Sequence, residues 1–296
     1  MTSSHFVDLN GTRVHYLDEG KGDPPFVLVH GWGSSVVKWR DTVPLLAQDR
    51  RTLAIDLPGF GRSDIPEFAS YSPGWMAGAV RAFMDTLGIE RTVLVGNSLG
   101  GLASVYFAAA WPERVAGLVL AAAALPNDRV EDPKALLQML APGVPGVGPA
   151  LYRRWLRTRT AEQHVAEGIA RNCAEPTRVS KETLALLEEE MHERLADRAR
   201  IRPVTMANRH MMWVLGARRE RTWRIVRSLR VPTLLVWGDQ DRLLPVSIAE
   251  RAVQAIPGAE LVVMPVCGHN PQVELPVEFS GVVTSFARRI AAPATR

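Results

Sequence analysis

The sequence predicts an α/β fold built on a doubly wound parallel sheet, with a helical segment inserted late in the chain. Three observations carry this. The runs PFVLVHG, TLAIDLPG and TVLVGNS are continuously apolar and end in Gly or Pro, as strands buried on both faces require. Helix-like stretches alternate with them. Between 126 and 230 strand-like runs are absent, and they resume with PTLLVWGDQD.

The elements follow in chain order. FVDLNGTRVHYLDEG has Asn10-Gly11 between two short alternating runs, the signal for a tight hairpin. The strand PFVLVHG is followed by the helix-like WRDTVPLLAQD, then the strand TLAIDLPG. SPGWMAGAVRAFMDTLG reads as a helix started by Ser72 before Pro73 and stopped by Gly88. TVLVGNS leads into a helix that begins near Ser98 and ends at Pro112, and VAGLVLAAAAL is the next strand. Helical periodicity then holds across ALLQML, LYRRWLRTRT, AEQHVAEGIARN, KETLALLEEEMHERLADRA and PVTMANRHMMWVLG. Last come the strand PTLLVWGDQD, the helix VSIAERAVQAI, the strand ELVVMPV and the helix PVEFSGVVTSFARRI.

The 296 residues are 47% hydrophobic and 22% charged, enough to bury one large core. Net charge is +4. The segment 126–230 holds 20 Lys and Arg against 13 Asp and Glu, but the two signs are interleaved, as on solvated helix faces. No aromatic–basic interleaving points to nucleic acid. MTSSHFVDLNG lacks the basic-then-apolar pattern of a secretory leader, and no run is long enough to span a bilayer, so a cytoplasmic protein is expected. Cys173 and Cys267, in different sub-structures, read as free thiols. Neither a metal nor a cofactor is called for. Oligomeric state is not legible.

The chemistry centres on VLVGNSLGGLAS. Ser98 stands at the carboxyl end of a strand, where the crevice of an open α/β sheet lies. Gly96 and Gly100 give the G-x-S-x-G spacing of a sharp strand-to-helix turn. A serine hydroxyl is a poor nucleophile until a base takes its proton, so a histidine and a carboxylate are required. Of seven histidines, His5 and His15 fall in the hairpin and His164, His192 and His210 in the helical segment. His269, in CGHNPQVELP just past a strand, falls at the sheet edge that carries Ser98. Asp239 and Asp241 follow another strand in PTLLVWGDQDRLLP. Backbone N–H groups of Leu99 and Trp32 are the candidate oxyanion donors, with Gly33 second to Trp32. His30, beside Gly31, reads as a brace of that loop.

These motifs together resemble the α/β-hydrolase fold family: HGWG, DLPGFGRSD, GNSLGG, WGDQDRLLP and GHNPQVELP stand in the family's order. The resemblance implies a mostly parallel eight-stranded sheet flanked by helices, with a core at 1–125 and 231–296 and a helical cap at 126–230. It places the acid of the triad on Asp241 instead of Asp239, with Asp128 as the position some relatives use. A serine at the elbow excludes the dehalogenases and epoxide hydrolases of this fold, which need an aspartate there.

Acyl transfer to water remains, with an ester of a hydrophobic small molecule, or a thioester or lactone, as the expected substrate. Carbon–carbon hydrolysis of ring-cleavage diketones is the alternative. GNSLGG and Cys267-Gly268-His269 resemble that subfamily, whereas GWGSSVV lacks its Gly-Pro-Gly and Asn270-Pro271 replaces its Trp. Cofactor-free perhydrolase activity and a ligand receptor that keeps the triad are further readings. The expected pocket residues are Gly31, Gly33 and Asn97 from the core and Trp155, Met206, Met211, Met212 and Trp213 from the helical segment. The region of Trp75 and Met76 is a further candidate.

Overall fold

The computed structural model describes residues 3–127 and 141–291. Eight strands form one sheet: β1 (Ser3–Leu9), β2 (Thr12–Glu19), β3 (Phe26–Val29), β4 (Thr52–Ile55), β5 (Thr92–Asn97), β6 (Val115–Ala121), β7 (Thr233–Gly238) and β8 (Glu260–Met264). Their order is β1-β2-β4-β3-β5-β6-β7-β8. The pairs β1–β2 and β2–β4 are antiparallel and the rest are parallel. At the hairpin tip Asn10 (φ 55°) and Gly11 (φ 87°) both occupy the left-handed region, which is the requirement of a type I′ turn.

Alternation along each strand divides the core in two. Val27, Val29, Leu53, Ile55, Leu94, Leu118, Leu120 and Leu235 pack on one face. Phe26, Leu28, Ala54, Val93, Val95, Val119, Leu234 and Val236 pack on the other. Because both faces are covered, the strands read as unbroken apolar runs. Helices α2 (Pro73–Thr86) and α3 (Leu99–Ala110) cover the first face with Met76, Phe83, Leu102 and Phe107. On the second face, α1 (Val43–Leu46) contributes Val43 and Leu46, and Phe279, Val283 and Phe286 come from the C-terminal helix. The Ser72 hydroxyl caps α2 by accepting from Trp75 N–H at 3.2 Å.

The stretch WRDTVPLLAQD is less helical than its pattern suggests. A 3₁₀ turn at Val36–Trp39 precedes the four-residue α1, in which Pro44 stands in the first turn. A proline there lacks the N–H that would carry a helix through from Trp39.

Between β6 and β7 the described chain is helical: α4 (Gly148–Leu156), α5 (Ala161–Asn172), α6 (Lys181–Ala196), α7 (Ile201–Leu215) and α8 (Arg219–Ser228). ALLQML lies outside the described residues. The remaining helices are α9 (Ser247–Ala255), α10 (Pro271–Glu274) and α11 (Pro276–Ala291).

The helical insert is tied to the core at the carboxyl end of the sheet. Arg194 of α6 donates to Gly33 O at 2.8 Å, and Trp32 Nε1 donates to Val204 O of α7 at 2.8 Å. Ser180 and Thr183 both donate to Asp41 Oδ2, at 2.8 and 2.9 Å.

Candidate active site

Ser98 joins β5 to α3 with φ 53° and ψ −118°, a conformation that non-glycine residues rarely adopt. The turn is tight because strand, helix and β3 converge on it. A Cβ on Gly96 would lie 2.5 Å from Gly100 O and from Ser104 Oγ, and one on Gly100 would lie 2.3 Å from Val29 O. Only glycine fits at either position. The Ser98 N–H bonds Ala121 O at 3.0 Å, while its carbonyl accepts from Leu102 and Ala124 at 3.1 and 2.9 Å. The elbow is thereby fixed at both ends.

His269 follows β8, and Asp241 follows β7. Asp241 Oδ2 accepts from His269 Nδ1 at 2.8 Å, and Oδ1 accepts from Leu243 and Leu244 N–H at 2.9 and 2.8 Å. Three donors therefore fix the carboxylate in place, and a proton on Nδ1 leaves Nε2 as a free base. Both residues are buried. His269 and Ser98 line one cavity, with Gly31, Trp32, Asn97, Ala124 and Met211 among its walls. Among the described residues the Ser98 hydroxyl makes no hydrogen bond, and it stays available to a ligand in that cavity.

Leu99 is the first residue of α3, so its N–H has no partner within the helix. Trp32 N–H likewise donates to no described group, and a Cβ on the adjacent Gly31 would meet Ser98 Cβ at 3.1 Å. Two free N–H groups thus flank the serine. His30 supports this loop from behind: its Nε2 accepts from Leu57 N–H at 3.0 Å and its Nδ1 donates to Gly31 O at 2.8 Å. Burial, the largest cause, pushes its pKa below the ordinary value and keeps the ring neutral, as accepting at Nε2 demands.

Several expected pocket residues lie elsewhere. Among the methionines and tryptophans named from the insert, only Met211 reaches the cavity. On one helix only residues three or four apart share a face, so the cavity takes Met211 and Leu215 while Met212 and Trp213 turn away. Met212 Sδ packs toward Gly143 instead, and Trp213 is 55% exposed with Arg218 over its ring. Met206 packs on the core. Trp155 stacks on Tyr152 and meets His164 at a tilt, with ring centroids 5.5 and 4.2 Å away. Gly33 faces Arg194 instead of the cavity, Met76 is core, and Trp75 packs on Tyr71. Asn97 does line the cavity, but its amide is committed to Ala121 O at 3.1 Å and His269 O at 3.4 Å. Asp239 accepts from Cys267 N–H at 3.2 Å, so it shapes the histidine loop. Asp128 lies outside the described residues.

Sequence reasoning missed two cations in the cavity wall, Lys38 and Arg171. Arg171, in the last turn of α5, is exposed, as expected of the insert's basic excess, but also lines the cavity. Lys38 follows β3 and was open to suspicion, since loops at strand carboxyl ends supply sites in this architecture. Burial pushes its pKa below the usual lysine value, while the Glu190 carboxylate acts the other way. Among the described residues no cluster of His, Cys, Asp and Glu is arranged to hold a metal ion. No helix among them is long and apolar enough to cross a membrane.

Residues 24–276 match the family model for the alpha/beta hydrolase fold. The chain belongs to the α/β-hydrolase fold family. It is 30% identical over 283 residues to a 2-hydroxy-6-oxononadienedioate/2-hydroxy-6-oxononatrienedioate hydrolase of Burkholderia vietnamiensis, covering 94% of this chain and 91% of that one. Among solved structures, a meta-cleavage product hydrolase from Pseudomonas fluorescens superposes with TM-score 0.72 at 26% identity, covering 97% of each chain. A thermophilic esterase from Thermogutta terrifontis superposes with TM-score 0.72 at 26% identity, covering 99% of this chain and all of that one. The chain is a hydrolase of this family, and small molecules are the substrates its hydrolase relatives are named for.

Proposed function

We propose that the chain is a serine hydrolase that cleaves a carbon–carbon bond in a small, carboxylate-bearing diketone of the ring-cleavage type. The observation that carries it is a single cavity that holds Ser98, His269, Lys38 and Arg171, with His269 bonded to Asp241 at 2.8 Å. Two cations beside a nucleophile favour an anionic substrate over the hydrophobic ester the sequence suggested. The name of the Burkholderia relative, a dienedioate hydrolase, supports the same substrate class.

In this reading Ser98 Oγ attacks the keto carbon as His269 Nε2 takes its proton. Trp32 and Leu99 N–H groups hold the oxyanion. Collapse of the tetrahedral intermediate breaks the carbon–carbon bond, and the imidazolium protonates the departing carbanion. Water activated by His269 then releases the acid from the acyl-enzyme, which regenerates Ser98. Asp241 holds the ring in the required tautomer throughout. Residues 1–125 and 231–296 act as the core, and 126–230 as a cap that selects substrate and excludes water.

Ester hydrolysis is the second reading. It is favoured by Asn270-Pro271 directly after the histidine and by the likeness to the Thermogutta esterase. A panel of dienoate diketones, matched esters, thioesters and lactones, run with Ser98→Ala as control, tests both. The diketone should be consumed fastest and every turnover should vanish in the variant. Faster turnover of an ester would select the second reading, and near-normal rates in Ser98→Ala would overturn both.

A further inference from the structure

Glu274 is a buried carboxylate that the reaction above does not use. It closes α10, is 2% exposed, and has no ion-pair partner among the described residues. A carboxylate taken out of water without a cation is costly unless N–H or S–H donors replace its hydration. Here the donors come from two different parts of the chain. Oε1 accepts from Gly268 N–H at 2.7 Å, the residue before His269, and Oε2 accepts from Glu175 N–H at 3.1 Å, in the insert. The thiols of Cys267 and Cys173, one from each part, feel its charge, and Cys267 Sγ donates to Gly268 O at 3.8 Å. Burial first, and the Glu274 charge second, push the Cys173 thiol up to about 12 and raise Cys267 as well, so both remain neutral thiols.

What these two segments touch gives the contact its consequence. His269 N–H donates to Asn172 O at 2.6 Å, so the histidine backbone rests on the C-terminal end of α5. A Cβ on Gly268 would fall 2.4 Å from Asn172 O and 2.9 Å from both Ala174 N and Cys173 Cα. No side chain fits between the segments. Arg171 and Asn172, two residues and one residue before Cys173, line the cavity with His269.

We propose that Glu274 is a positioning residue that clamps residues 172–175 of the insert to the Gly268–His269 loop, so that the base and the Arg171–Asn172 wall are set as one unit. The proposal rests on the triad reading above. Glu274→Gln keeps the volume but turns an amide NH₂ toward one of the two N–H donors, so one side of the clamp must open.

Kinetics and NMR test it together, so that failure of the clamp and failure of the triad can be told apart. For Glu274→Gln, assayed well below its unfolding temperature, kcat should fall by about tenfold or more and KM for a carboxylated substrate should rise. Adding Arg171→Ala to Glu274→Gln should raise KM less than it does in the wild type. The low-field Nδ1 proton of the His269–Asp241 pair, which needs no substrate, should shift or broaden in Glu274→Gln. Should that variant not fold, Glu274→Asp, one methylene shorter with the charge kept, should show the same changes at smaller size. A folded variant whose kcat, KM and Nδ1 signal all match the wild type overturns the clamp, and that signal decides even if no substrate is turned over. Absence of Ser98-dependent turnover in the wild type would instead overturn the triad reading.

Discussion

Among the described residues two buried His–Asp pairs occur: one shares a cavity with Ser98, and the other has Ser4 beside its ring. His269 Nδ1 donates to Asp241 at 2.8 Å, and His15 Nδ1 donates to Asp56 at 2.7 Å. The second line is the more complete, since the Ser4 hydroxyl lies 2.7 Å from His15 Nε2. Yet Ser4 sits in the edge strand β1, paired with Leu17, exposed, with extended backbone on both sides. It has no helix start behind it. Ser98 has the start of α3 behind it and the Gly31–Trp32 loop packed against it. On the proposed function, the difference teaches that side-chain geometry alone does not make a hydrolytic site. The backbone turn that aims N–H groups at the developing oxyanion does. Asp56 also accepts from Val36 and Arg62 N–H at 2.7 and 2.9 Å, so its pair braces the loops after β3 and β4.

Substitution of the two serines separates the pairs most sharply. Ser98→Ala should lower kcat by about 10⁶-fold, whereas Ser4→Ala should leave it within about twofold, measured on one activated substrate. Exchange of the acids comes next. Asp241→Asn should cost about 10⁴-fold in kcat by fixing the wrong tautomer, with little loss of stability. Asp56→Asn should do the reverse, with a denaturant midpoint lowered by about 3 kcal/mol of stability and kcat changed by less than about tenfold. Smaller still is the effect of Arg171→Ala. It should raise KM by roughly tenfold for a carboxylated substrate and leave a neutral ester unchanged, as steady-state kinetics will read.

The smallest effect is a pH slope. Glu190 of α6 faces Ser35, Asp56, Glu193 and Arg194, and burial first, then Asp56, raise its pKa to about 7. The folded state therefore holds this proton between the ordinary carboxylate range and about pH 7, where the unfolded chain has released it. Its contribution to stability is present at low pH and lost as pH rises through the folded value. The Tm difference between pH 5.5 and pH 8 should shrink in Glu190→Gln.

The fold was legible because its signals are local. Apolar runs, turn residues and capping signals such as Ser72-Pro73 act within a few residues, and the structure places β1 to β8 where those signals fall. α1 is the exception, cut short by Pro44. Ser98 and His269 could be named because each stands at or just past a recognisable strand, whereas that signal left Asp239 and Asp241 open and the family resemblance chose Asp241. The cavity wall could not be named. Whether Met211 or Met212 faces the serine depends on the rotation of α7, which tertiary packing sets. Arg171 carries no local mark that separates it from the other arginines of the insert. Glu274 was visible in GHNPQVELP, but its burial against Cys173 and Glu175 depends on contacts about a hundred residues apart in sequence.

The central claim is that nucleophilicity resides at the elbow and not at the second Ser–His–Asp line. Reaction of the wild-type protein with a fluorophosphonate, followed by peptide mass spectrometry, measures this directly. The account predicts one adduct, on Ser98, that disappears in Ser98→Ala. An adduct on Ser4 in either protein, or an unmodified Ser98 in the wild type, would contradict it.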